Sequence, residues 1–334
     1  MALPQTRLDA PFNVTRASHV VLTGKDLAAS RAFYADIIGL VVTYEDESCL
    51  YLRGLEEACH HSLVIRKDGG AGVCERIGLR VFTERDLELA KKYFDSVGIA
   101  ARWVDVPFQG RTLHLDDACG MPVELCATMD DVPRYMQDFH RFHGASPQRL
   151  DHFQIVASDV ERATRFYTDI GFRITEYTAT DGTEDLWGVW LQRKGNTHDI
   201  VFTNGEGPRL HHFAFTIPDT HDLIHICDVA GSLGIADVID RGPGRHGISN
   251  ALFVYLRDPD GHRIELFTTH YQAIDIETRP IRWDLSNTRR SQLWGLPASK
   301  RWFFEATRFK DKKTSEPVLK ADPVTLEKFL AMGR

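Results

Sequence analysis

Ser18-His19-Val20-Val21-Leu22 and Asp151-His152-Phe153-Gln154-Ile155 carry one pattern twice, once in each half of the chain. Each places a histidine inside a short run of strand-forming residues. Seven residues after each histidine stands an aspartate, Asp26 or Asp159, a side chain that caps helix N-termini by accepting from free backbone N–H groups. The helices that should follow also match: Arg31-Ala32-Phe33-Tyr34-Ala35-Asp36 against Thr164-Arg165-Phe166-Tyr167-Thr168-Asp169. Both run into a glycine, Gly39 or Gly171, and then into strand-like sequence, Leu40–Tyr44 or Phe172–Tyr177.

A second pair of segments extends the repeat. Leu113-His114-Leu115-Asp116-Asp117-Ala118-Cys119-Gly120 parallels Val254-Tyr255-Leu256-Arg257-Asp258-Pro259-Asp260-Gly261, and each leads to a closing strand, Val123-Glu124-Leu125 or Ile264-Glu265-Leu266. Asp-Pro-Asp-Gly is a turn signal between strands. The expected fold is therefore α+β, with four βαβββ modules at about 17–68, 73–128, 150–204 and 209–270, paired into two barrel-like domains. The expected boundaries are 1–130 for a first domain without metal, 131–149 for a connector, 150–272 for a metal-bearing domain and 273–334 for a non-repeating tail. That tail carries Trp283, Trp294, Trp302, Arg282, Arg289 and Arg290; it serves either as a lid or as a subunit contact.

Composition narrows the classes. The chain has 334 residues, of which 43% are hydrophobic, so a packed core is available. A net charge of -7 argues against a nucleic-acid partner. No apolar run reaches the roughly 18 residues of a membrane helix, and Met1–Val14 has no apolar signal core; a cytoplasmic location without a membrane partner is the expectation. The cysteines Cys49, Cys59, Cys74, Cys119, Cys126 and Cys227 form no CxxC pair and read as reduced thiols with structural roles. There is no G-x-G-x-x-G or phosphate-binding loop, which disfavours a nucleotide cofactor.

Equivalent strands of the second half offer His152, His212 and Glu265. Two imidazoles and one carboxylate from three strands are the donor set that holds non-haem Fe(II) by one face and leaves the other open; Mn(II) fits the same donors. Strand alternation puts His212, Ala214 and Thr216 on one face and His211 on the other. In the first half the matching positions are taken as His19, Gly78 and Glu124, where glycine deletes a ligand and metal binding should fail. His221 and His225 have the i, i+4 spacing of a helical zinc site but lack its glutamate, so an exposed helix face is the better reading. His60 and His61 read as surface residues, and His140 and His143 have no evident partner.

Leu150-Asp151-His152-Phe153, Leu210-His211-His212-Phe213-Ala214-Phe215 and Asp258-Pro259-Asp260-Gly261-His262-Arg263-Ile264-Glu265 resemble the type I extradiol dioxygenases of the vicinal-oxygen-chelate superfamily. Gly242-Pro243-Gly244-Arg245-His246-Gly247 together with Tyr255 resembles the members that act on homoprotocatechuate (3,4-dihydroxyphenylacetate). The resemblance implies His152, His212 and Glu265 as metal ligands. It also implies His198 as the acid–base residue on the O2 side, and Tyr255 and His246 as hydrogen-bonding partners of the bound catecholate. Trp190, Arg241 and Arg290 would line the end of the pocket that takes a substrate carboxylate, and Gln154 stands where these relatives carry asparagine. The implied partners are a catechol and O2; the aromatic tail and the repeated sheets point to a homo-oligomer. The residues alone leave four readings open: this reaction, the same reaction on protocatechuate or an alkylcatechol, a non-catalytic protein that binds an aromatic compound, and a glyoxalase-like or isomerase chemistry on the same architecture.

Overall fold

The computed structural model describes residues 3–295 and 297–333. Strand, helix and three strands follow one another four times. The first module is β1 (Val14–Gly24), α1 (Leu27–Arg31), β2 (Val41–Glu45), β3 (Cys49–Arg53) and β4 (Leu63–Lys67). The second is β5 (Cys74–Val81), α2 (Glu84–Ser96), β6 (Ala101–Val104), β7 (Thr112–Asp116) and β8 (Pro122–Cys126). The third is β9 (Arg149–Ala157), α3 (Val160–Asp169), β10 (Arg173–Ala179), β11 (Leu186–Gln192) and β12 (Ile200–Asn204). The fourth is β13 (Arg209–Thr216), α4 (Thr220–Ser232), β14 (Ile239–Arg245), β15 (Leu252–Arg257) and β16 (Arg263–Thr268).

The helices start where the sequence places caps. Asp26 accepts from Ala28 and Ala29 N–H, and Asp159 from Arg162 N–H. Thr83 and Asp86 cap each other's backbone at the start of α2. Two sheets result. The first has the order β2-β3-β4-β1-β5-β8-β7-β6, and the second β14-β15-β16-β13-β9-β12-β11-β10. In each, the first strands of two modules pair antiparallel at the centre, β1 with β5 and β9 with β13. The fold is mixed α+β and strand-dominated, as the repeat predicts.

The halves are fastened reciprocally. Tyr34, in the turn that continues α1, donates to Asp258 at 2.9 Å, and Tyr167 on α3 donates to Asp117 at 3.4 Å. The first module's tyrosine thus reaches the fourth module's turn, and the third module's reaches the second's. One hydrophobic core runs through both halves, from Val20 and Phe94 to Phe213 and Leu266. Asp117 also accepts from Cys119 and Met121 N–H. Burial nevertheless pushes its carboxyl up to about 6, those bonds only partly offsetting it. A pKa raised by folding contributes stability below the unfolded value that is lost as pH rises through the folded one. Asp117→Asn should therefore gain about 1–3 kcal/mol relative to the parent between pH 4 and pH 7. Urea unfolding at the two pH values checks this; an unchanged difference would refute it.

The tail wraps the second sheet. β17 (Ile281–Asp284) adds parallel to β10 at its edge, and β18 (Thr307–Arg308) pairs with β13. Phe309 then bridges to Cys74 of the first sheet. Trp283 donates to the buried Glu176 at 2.6 Å, and Tyr271 OH and Ser249 N–H donate to its other oxygen. Among the described residues no helix is long and apolar enough to cross a membrane, and all six cysteines are free.

Candidate metal centre

The register identifies corresponding positions in the two halves. His19 faces Gly78 and His152 faces Ala214 across the central antiparallel pairs. Gly78 in turn faces Glu124, and Ala214 faces Glu265. Gly78 is thus the counterpart of Ala214, and the residue two positions earlier, Arg76, is the counterpart of His212. The expectation that glycine deletes the ligand is corrected: a guanidinium replaces the imidazole. Gly78 has a different role, because the His19 ring fills the space where its Cβ would project.

In the second half the three donors converge. His152 Nε2 lies 3.0 Å and His212 Nε2 3.1 Å from the same oxygen of Glu265, and all three side chains are buried. Each ring's other nitrogen is committed. His152 Nδ1 donates to Asp151 at 3.0 Å, and Asp151 is itself held by the Asn196 amide at 2.9 Å. His211 Nε2 donates to the Trp302 carbonyl at 3.0 Å, so its Nδ1 is the acceptor for His212 Nδ1–H at 2.8 Å. With Nδ1 so committed, each ligand candidate turns its Nε2 toward a carboxylate oxygen, where it either carries a proton or, in the neutral ring, offers a lone pair to a metal.

Two imidazole nitrogens and a carboxylate oxygen facing one point need a cation between them, a proton or a metal ion. Cis donors about 2.1 Å from a divalent ion in octahedral geometry stand about 3 Å apart, which the separations match. The titration properties agree. Burial would raise Glu265, but the hydrogen bonds and charges of His152 and His212 hold it well below the ordinary carboxylate range. Burial would lower His152, but Asp151 and Glu265 hold it above 6.5. Burial takes His212 down to about 4 despite Glu265. The donor set fits a divalent metal.

The first half shows the same frame closed. Glu124 receives His19 at 2.8 Å, His114 at 2.6 Å and Gln109 at 2.6 Å, with the Arg76 guanidinium 3.7 Å away. Its oxygens are consumed by protein donors and a permanent cation. His60 and His61, read as surface residues, are buried. Leu63 pairs with Val20 as Ile200 pairs with Phe153, so His61 is the counterpart of His198 and inherits its inward position. His221 and His225 are exposed on α4, as expected.

All ten residues singled out in the sequence line one cavity. The His198 ring sits 4.1 Å from that of His152, with Nδ1 bonded to Thr197 Oγ at 2.7 Å. Burial and the neighbouring imidazoles push it well below 6.5. His246 Nδ1 donates to the Ser291 carbonyl at 2.5 Å, so Nε2 accepts from Tyr255 OH at 3.0 Å. Arg241 donates to the Ser291 carbonyl and Gln292, and its guanidinium lies 4.6 Å from the Trp302 ring centre. Arg290 is buried over Trp187. Burial pushes both arginines down to about 10, and neither makes an ion pair among the described residues. Gln154 reaches Thr203 at 3.3 Å, and Trp190 packs with Val201 and Ile248.

Other cavity residues were not anticipated, among them His211, Trp302 and His270. His211 was expected on the opposite face from His212, but a bulge between Leu210 and His212 sets the two rings side by side. Trp302 comes from the tail. His270 lies beyond the end of β16, where Thr269 takes φ +73° and breaks strand alternation, so no period-2 reading would aim it inward.

Residues 149–266 match the Glyoxalase/Bleomycin resistance protein/Dioxygenase superfamily. An extradiol ring-cleaving dioxygenase from B. fuscum superposes with a TM-score of 0.90 at 36% identity, covering 96% of this chain and 91% of that one. Homoprotocatechuate 2,3-dioxygenase from Arthrobacter globiformis gives 0.88 at 35% identity, over 94% and 98%. The manganese-dependent 2,3-dihydroxybiphenyl 1,2-dioxygenase of Geobacillus genomosp. 3 is 27% identical over 86% of this chain and 95% of its own. With more than a third of its residues shared along nearly the whole of a solved relative, the chain belongs to the extradiol catechol dioxygenases of this superfamily.

Proposed function

We propose that the chain opens the ring of 3,4-dihydroxyphenylacetate next to its hydroxyl pair, both atoms of O2 entering a hydroxymuconic semialdehyde, with Fe(II) held by His152, His212 and Glu265. Mn(II), which the name of the Geobacillus relative carries, suits the same donors. One arrangement carries this reading: three converging lone-pair donors at one end of a cavity, and two buried guanidinium groups without a carboxylate at the other. An unpaired buried charge is costly, and a substrate carboxylate would relieve it.

When bound, the metal supplies Lewis acidity toward a chelating catechol and an electron path between it and O2. Arg241 and Arg290 bind the carboxylate and fix which end of the ring meets the ligand set. Tyr255 OH donates to His246 Nε2, which leaves the phenol oxygen free to accept from a catechol hydroxyl. His198 is neutral at pH 7, and its Nε2 takes a proton from the substrate side and returns it as the ring opens. Trp190 and Gln154 wall the ring. On this reading residues 150–272 are the catalytic domain, 1–130 its support through the connector 131–149, and 273–334 a lid or a subunit contact.

Purified protein given Fe(II) and 3,4-dihydroxyphenylacetate in air should gain a strong visible absorbance from the semialdehyde. No colour with any catechol at full metal occupancy would overturn the proposal. The acceptor that orients His212 is testable separately. His211→Phe should weaken Fe(II) affinity about 10–100-fold, measured by equilibrium dialysis, with the fold retained by circular dichroism.

A further inference from the structure

His270 is unlike every other imidazole in the cavity. Its side chain is only 6% exposed, yet neither ring nitrogen has a hydrogen-bond partner. Leaving both nitrogens of a buried imidazole without a partner is unfavourable, so this ring has a lone pair and an N–H to offer to a ligand. The ring stacks on Phe267 at 4.2 Å and lies 4.9 Å from His198 and 5.7 Å from His152, centre to centre. One nitrogen from each of His152, His198 and His270 can be chosen so that all three lie within 4.8 Å of one another.

We propose that His152, His198 and His270 form a second cation position, selective for Zn(II), that competes with the carboxylate-side position for His152. Three imidazoles and an open fourth place facing the cavity match the tetrahedral preference of zinc, whereas the set with Glu265 adds a hard oxygen donor suited to Fe(II) or Mn(II). The outer partners are in place. Thr197 occupies His198 Nδ1 and leaves Nε2 free. Asp151 Oδ2, which already accepts from His152, stands 3.7 Å from His270 Nδ1, beyond hydrogen-bond length but near enough to take that N–H in a carboxylate–histidine–zinc triad once an ion draws the ring in. An ion there holds His152 and His198 together and away from the Glu265 side, so zinc acts as a reversible off-state. The position shares His152 with the proposed iron site but does not rest on the ring-cleaving reading.

Co(II) is the probe, because tetrahedral Co(II) absorbs far more strongly in the visible than six-coordinate Co(II). Metal-free His212→Ala, whose carboxylate-side position is disabled, should bind one equivalent of Co(II) with intense visible bands that Zn(II) abolishes. Adding His270→Phe, which preserves the stack on Phe267, should remove the bands and weaken binding at least tenfold. Circular dichroism of both metal-free variants verifies the fold, and His270→Phe alone gives the same comparison in Zn(II) affinity if the double variant does not fold. Bands that persist without the His270 imidazole, or a folded His212→Ala that binds no Co(II), would overturn the proposal. Neither readout involves catechol turnover, so a failure here is separable from a failure to open a ring.

Discussion

Glu265→Gln should lose Fe(II), lower kcat at least about 10³-fold and bring the His152 imidazole down from its raised pKa. The effects have one origin. In the parent, Nε2 of His152 and Nε2 of His212 both face Glu265 Oε2, at 3.0 and 3.1 Å, and despite burial that carboxylate, with Asp151, holds His152 above 6.5. An amide has the same shape but no charge, so it neither holds a divalent cation nor favours the imidazolium. The metal-free variant should therefore lose the His152 proton at a lower pH than the parent, visible in an NMR titration of the imidazole C–H resonances. Metal content, measured by mass spectrometry after dialysis against Fe(II) that saturates the parent, should fall to background. A variant that keeps full iron and turnover would remove Glu265 from the ligand set.

Arg241→Met should cost about 10²–10³-fold in kcat/KM for 3,4-dihydroxyphenylacetate. Catechol and 4-methylcatechol, which lack the carboxylate, should change by less than about threefold. Methionine keeps an apolar stem against Phe253 and Trp302, on which the guanidinium packs, so the comparison isolates charge from packing. Arg290 lies close enough for Arg241 to help push it down to about 10, after burial itself, so the two cations strain against each other until an anion arrives. An equal loss on all three compounds would point to an alkylcatechol or another neutral substrate.

The modules were legible because a duplicated chain reports its own alignment. Asp26 and Asp159 fall at matching distances from His19 and His152, and both cap the helices expected of them. Of the ten cavity residues, His152, His212 and Glu265 were legible from matched strands of the repeat, and the other seven through the family resemblance. Illegible parts share a physical cause, local departures from ideal pleating. The bulge before His212 turns His211 inward, and the left-handed Thr269 does the same for His270. Matching Gly78 to His212 failed because likeness of neighbouring letters does not fix hydrogen-bond register. Only the pairings of Gly78 and Ala214 with their facing strands show that Arg76 holds the corresponding place. Burial of His60 and His61 is set by contacts with Tyr51 and Phe108, the latter more than forty residues away in sequence.

The peptide oxygen that fixes the His211 tautomer, and through it the aim of His212, belongs to Trp302, 91 positions downstream of His211. A ribosome therefore makes all three prospective ligands before it delivers the group that orients one of them. A nascent chain arrested before Trp302 owns the donors but not their alignment, so metal loading belongs to the finished polypeptide and not to its synthesis.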